Sequence, residues 1–191
     1  MGATTFFTYA SGETASEAFA SAQAEARYDY GHSGYTGTIA EKPSFIEFYV
    51  SLSDLPIQEM EQSYYTRTGA TKTMVAVPLD TRIGNAIYWY QSKRYRYEKG
   101  TYNPIAVSDV FATPIESEGV PSWVKEENRE DYLAKERKRE ENSRADAKFF
   151  ADRMGRKDWE RMCDVFDEKW EECVAIKVSD GEWLFCGLAS C

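Results

Sequence analysis

Apolar and polar positions along the chain fall into short blocks with distinct periods. TTFFTY (residues 4–9) is β-branched and aromatic and ends at the turn residues Ser11 and Gly12, which predicts a first strand. A helix is predicted next. Thr14 and Glu17 have capping-box spacing, and Ala15, Ala18, Phe19, Ala22 and Ala26 recur at helical intervals up to a natural stop at Gly31. The small alanines on that stripe suit close approach to a sheet.

GHSGYTGT (residues 31–38) has three glycines and no aliphatic residue. It runs into TIAEK and then FIEFYV, both strand-like, which predicts two adjacent antiparallel strands turned at Lys42, Pro43 and Ser44. Asp54 and Pro56 could open a short helix through Met60. KTMVAV (72–77), NAIYWYQSKRYRYE (85–98) and IAVSDVFA (105–112) read as further strands from their β-branched and aromatic content.

The pattern changes at Val120. Between Lys125 and Lys148 stand eight basic and eight acidic residues, several at i,i+4 spacing, so a mostly exposed helix from Trp123 to Phe150 is predicted, a candidate partner-binding arm. After Gly155, the residues Trp159, Met162, Cys163, Phe166 and Trp170 form the stripe of a second, core-facing helix. CVAIKV, a turn with Asp180 and Gly181, and WLFCGLA predict a closing β-hairpin. The expected fold is α+β, a mixed and mainly antiparallel sheet with segregated helices. At 191 residues it is expected to form a single domain, residues 1–191, with residues 120–155 as a charged surface helix within it.

Charge narrows the function classes. The formal net charge of −9 argues against coating duplex DNA or anionic lipid, since such binding requires phosphates to be neutralised by Lys and Arg. Only residues 51–100 are net basic. No apolar run approaches a membrane span, and the first residues lack the basic and apolar regions of a signal peptide, so the expected location is cytoplasmic. Cys163, Cys173, Cys186 and Cys191 include no CxxC pair, and His32 is the sole histidine, so neither a metal site nor a cofactor is expected; the cysteines read as reduced thiols, mostly buried.

The densest chemistry lies in GHSGYTGTIAEK (31–42). Glycine-rich backbone around Gly34 and Gly37, hydroxyls on Ser33, Tyr35, Thr36 and Thr38, the imidazole of His32, and Glu41 with Lys42 at the far end could cradle a nucleotide-like anion. The segment is neither a Walker A loop nor GxGxxG, and it precedes a strand, so neither phosphate mechanism transfers. The alternative is a glycine-rich connection with a structural role. A Ser/His/Asp triad would have to use His32, and no GxSxG elbow exists, so no catalytic constellation is recognised. A second candidate is residues 88–99, where Trp89, Lys93, Arg94, Tyr95 and Arg96 mix basic and aromatic side chains as a single-stranded nucleic-acid site would.

GHSGYTGTIAEK, together with EKWEECVAIKV and the closing strand ending in FCGLAS, resembles a family of small, functionally uncharacterised proteins encoded mainly by bacteriophages. The likeness covers roughly residues 10–50 and 167–190. Lys169 and Trp170 match a KWGPAG-like segment, but EECVA replaces its remainder, and Cys186 and Leu188 stand where an FFGWAS-like strand has Phe and Trp. The resemblance implies a phage origin and no particular activity. The expectation is an accessory protein in the host cytoplasm that binds and modulates a host or defence protein, for instance through an acidic face that mimics nucleic acid. The alternatives are a small-anion-binding protein or enzyme built on the loop, and single-stranded nucleic-acid binding through residues 88–99.

Overall fold

The first helix begins where its capping box places it. Thr14 Oγ1 accepts from Glu17 N, and Glu17 Oε2 accepts from Thr14 N, each at 3.2 Å, so two backbone donors at the helix start are satisfied reciprocally. The computed structural model describes residues 2–31, 35–66, 69–98, 101–112 and 120–190, and the chain divides into two compact units, residues 1–54 with 150–191, and residues 55–149.

In the first unit, β1 (Ala3–Ser11), α1 (Ala15–Tyr30), β2 (Phe45–Phe48), α5 (Arg156–Asp167), β7 (Cys173–Ser179) and β8 (Glu182–Ser190) build a four-stranded sheet in the order β1-β8-β7-β2. β8 is antiparallel to both β1 and β7, whereas β2 runs parallel to β7. The hairpin β7/β8 closes at Asp180 and Gly181, with Gly181 at φ 76°. Because strand side chains alternate, one helix covers each face. The predicted stripe Ala15, Ala18, Phe19, Ala22 and Ala26 is buried against Phe6, Cys173, Ala175, Trp183, Phe185 and Ala189. Phe19, Phe45 and Phe185 form a three-ring cluster with centroids 5.0 to 5.7 Å apart. Burial of each such ring contributes about 1.5 to 3 kcal/mol. On the other face Phe7 meets Phe166 of α5 at 6.0 Å. The buried stripe of α5 is Trp159, Met162, Cys163, Val165 and Phe166. It stops there. Trp170, expected as its last member, lies beyond the helix end and is 57% exposed.

The expected strand pair flanking Lys42-Pro43-Ser44 is not formed. Residues Ile39–Glu41 are a single 3₁₀ turn, capped by Thr38 Oγ1 accepting from Ala40 N at 3.3 Å. β2 finds its partner in β7 instead.

In the second unit β3 (Glu59–Thr66) and β4 (Gly69–Ala76) form an antiparallel pair, and β5 (Tyr95–Glu98) and β6 (Thr101–Pro104) form another. The short helix expected from Asp54 to Met60 is absent; residues from Glu59 belong to β3. The long strand expected over residues 85–98 is a helix for most of its length: α2 spans Leu79–Lys93, and only Tyr95–Glu98 is extended. Ile83, Ala86, Ile87 and Tyr90 are buried at i, i+3, i+4 and i+7, and that apolar stripe outweighs the β propensity of the tyrosines. Residues Val107–Ala112 are likewise a helix, α3, rather than a strand. The charged helix is α4 (Arg129–Met154), with Arg129–Arg139 largely exposed and Ser143, Asp146 and Ala147 buried. Asp146 forms a buried bidentate pair with Arg82 (Nε to Oδ2, 3.0 Å). Arg82 also donates to Pro56 O at 2.6 Å, and Gln58 Nε2 donates to Asp146 Oδ1 at 2.9 Å.

The fold is therefore α+β, with a mixed, mainly antiparallel four-stranded sheet that does not close into a barrel. Among the described residues no helix is long and apolar enough to cross a membrane.

Candidate functional site

The loop from Tyr35 to Lys42 is fixed by the two charged residues at its end. Glu41 is a carboxylate with four donors: Gly37 N at 2.8 Å and Thr36 Oγ1 at 3.1 Å from the loop itself, and Ser190 N at 2.9 Å and Ser190 Oγ at 2.7 Å from the end of β8. Burial pushes its pKa up, but the bonds from Ser190, Gly37 and Thr36 together outweigh that, and the net position is below the ordinary carboxylate value. Thr36 and Thr38 add a hydroxyl pair at 2.9 Å. Gly37, at φ 70°, supplies a turn that side chains rarely adopt.

Lys42 points elsewhere. Its side chain is fully buried, and Nζ donates to the carbonyls of Glu168 and, at 3.4 Å, Glu172. Burial lowers the pKa of the ammonium, opposed by Cys173, Glu168, Glu41 and Glu172 around it. The lysine thus ties the loop to the segment between α5 and β7. Gln23 of α1 completes the anchorage, donating from Nε2 to Lys42 O at 2.5 Å. Cys173 beside this lysine is a buried thiol whose pKa is pushed up to about 12, chiefly by burial, which leaves it protonated and chemically quiet.

Glu41 and Lys42, read from sequence as the edge of an anion site, therefore direct their polar atoms into the protein. What the loop presents outward is aromatic. Tyr35 is 57% exposed and holds φ at 80°, a left-handed conformation that costs a side-chain-bearing residue about 1 to 2 kcal/mol. Its ring meets Trp170 edge to face, with centroids 6.5 Å apart and planes at 87°. Lys169 Nζ lies 5.0 Å from the Trp170 ring centroid and donates to Gly2 O. His32, Ser33 and Gly34 lie outside the described residues.

The basic and aromatic residues of the second candidate are dispersed by the helix. Trp89 is buried on α2 and stacks on Phe111 at 5.8 Å; Lys93, at the end of the same helix, pairs with Glu140 at 3.2 Å. Arg94 caps α2 and lies over the Tyr95 ring at 4.8 Å, and Arg96 is on β5. Trp89 and Lys93 therefore lie on a helix and Tyr95 and Arg96 on a separate strand, so they do not form one basic and aromatic strand. Trp170 is also placed differently from the sequence expectation; Glu168 and Lys169 are good helix formers, so no local propensity marks the end of α5 at Asp167. Among the described residues no group of three or more His, Cys, Asp and Glu side chains is placed to hold a metal ion.

No family model, curated protein or solved structure matches this chain.

Proposed function

We propose that this chain is an accessory protein of the bacteriophage type that acts by binding a protein of the bacterial host or of its defence machinery. The observation that carries the reading is the exposed Tyr35–Trp170 pair, in which Tyr35 precedes a segment whose Thr36, Gly37, Glu41 and Lys42 make internal hydrogen bonds and Trp170 follows α5. Exposed aromatic residues on a preorganised support are the usual anchors of protein interfaces, because they lose little conformational entropy on contact. The left-handed Tyr35 fits the same purpose, since local strain is retained where the displayed side chain matters. Resemblance of the loop and the closing strand to phage-encoded proteins supports the setting. Internal use of Glu41 and Lys42 weighs against an anion site or catalytic centre at the same loop.

The test is affinity capture from lysate of the host bacterium with the intact protein and with Trp170→Ala, both checked for fold by circular dichroism. The reading requires a stoichiometric host protein held by the intact chain and lost with the variant. Absence of any captured protein, together with release of a small molecule when the purified protein is heated, would replace it with the ligand-binding reading.

A further inference from the structure

The four-stranded sheet of the first unit ends on one side in an unguarded strand. Among the described residues β1 pairs with β8 alone and is the last strand of the order β1-β8-β7-β2. Gly12 N, continuing the register of β1, donates to Gly181 O at 3.0 Å, while Ser190 N, opposite Ala3, is directed at Glu41 and not at β1. Main-chain groups of an antiparallel strand alternate in direction. Thr4, Phe6, Thr8 and Ala10 therefore direct theirs to β8, and Ala3, Thr5, Phe7, Tyr9 and Ser11 direct theirs to the outer edge. Ala3, Thr4, Tyr9 and Ser11 are exposed and Phe7 is half-buried. Such an edge is a template for a further strand, and folded chains blunt it with short length, charge, proline or a bulge. The other edge strands of this protein are blunted in that way: β2 has four residues and Glu47, β3 carries Glu59 and Glu61, β4 Lys72, β5 Arg96 and Glu98, and β6 Pro104. β1 has nine residues, no charge, no proline and an unbroken register.

We propose that the outer edge of β1 is the seam of a two-fold dimer, in which β1 of a second copy pairs with it antiparallel and joins the two sheets into one. Charge and register select that occupant. Residues 1–12 are the longest run without a charged side chain in a chain of net charge −9, so two copies can approach there without opposing like charges. An uncharged edge gives a foreign strand little to be selected by beyond main-chain bonding, whereas a second copy also matches it residue by residue. The outward-directed residues are odd-numbered and must face one another. Full overlap of Ala3–Ser11 with itself then sets Phe7 against Phe7 of the second copy. Ala3 stands opposite Ser11, Thr5 opposite Tyr9 and Phe6 opposite Thr8, which are small, β-branched and aromatic pairs that suit a sheet. Phe7, which meets Phe166 within its own chain, is covered further at the two-fold axis. The seam uses neither Tyr35 nor Trp170 and does not rest on the host-binding reading.

The experiment is sedimentation equilibrium of the full chain at rising concentration, beside two double variants, Ala3→Lys with Ser11→Lys and Ala3→Glu with Ser11→Glu, each checked for fold by circular dichroism. Both positions are exposed, and each double variant sets like charges opposite one another at both ends of the seam. The expected result is a concentration-dependent dimer of the intact chain, with the dissociation constant raised about tenfold or more in each variant. Mixing the two variants should restore association, because Lys then faces Glu. That recovery requires folded chains in this register, so it keeps the test decisive if either variant is less stable. An intact chain that stays monomeric up to millimolar concentration overturns the proposal and leaves the edge to a strand of another protein. A dimer that both variants retain with undiminished affinity, or a mixture that associates no more tightly than either variant alone, overturns it as well.

Discussion

Replacing Glu41 by alanine removes the carboxylate on which the loop from Tyr35 to Lys42 is fastened. Four donors lose their acceptor, two from the loop and two from Ser190. A hydrogen bond to a charged group nets about 1.5 to 3 kcal/mol, but the four do not add. Gly37 and Thr36 are partly exposed and recover water. Ser190 is fully buried, so its N–H and hydroxyl cannot do the same. The expected loss in urea unfolding at pH 7 is therefore about 2 to 3 kcal/mol, set mainly by the Ser190 side. The pH dependence follows from the lowered carboxyl pKa. The ionised form is favoured in the folded state, so its contribution is present above the unfolded value and is lost as pH falls through the folded one. Intact protein and Glu41→Ala should accordingly converge in stability as the pH drops below about 4. A loss under about 0.5 kcal/mol at neutral pH, or a gap that does not change with acid, would refute the bracing role.

Asp146→Ala should cost about 3 to 5 kcal/mol in the same assay, because it strands the buried Arg82 guanidinium, while Arg82→Met with Asp146→Leu should restore most of that loss. Gly12→Ala should destabilise by more than about 2 kcal/mol, since its Cβ would lie 2.5 Å from Ala18 N in the backbone of α1; a neutral result would mean the turn after β1 relaxes freely. Iodoacetamide at pH 8 should leave Cys163, Cys173 and Cys186 unmodified until denaturant is added, as read by mass spectrometry. All three are buried, and the Cys173 thiol remains protonated at that pH; prompt labelling of Cys173 in the native protein would contradict this placement.

Elements whose signals are local were legible in the sequence. The capping box at Thr14, the alanine stripe of α1, the stripe of α5 up to Phe166 and the turn at Gly181 all depend on residues a few positions apart. The failures were of two kinds. In residues 85–98 tyrosines and a tryptophan suggested a strand, yet Ile83, Ala86, Ile87 and Tyr90 carry a helical period that becomes visible only when the window starts before residue 85. The pairing of β2 with β7 joins segments more than 120 residues apart in sequence, and no local pattern announces it. At the candidate loop, composition identified the segment and not its division of labour. Glu41 and Lys42 look outward-facing in sequence because charges usually are. Their inward hydrogen bonds depend on Ser190 and on the Glu168 and Glu172 carbonyls, which only the fold brings near.

The account rests on Tyr35 and Trp170 acting together as the anchor for a host protein, and a double-mutant cycle on that complex tests it most directly. Calorimetric titration of the captured partner with intact protein, Tyr35→Ala, Trp170→Ala and the double variant should give a loss of about 2 kcal/mol or more for Trp170→Ala, as at interface hot spots. Because the two rings touch, the single losses should be non-additive by about 0.5 kcal/mol or more. Affinities that remain within about threefold of the intact protein in all three variants would place the partner's contact surface elsewhere.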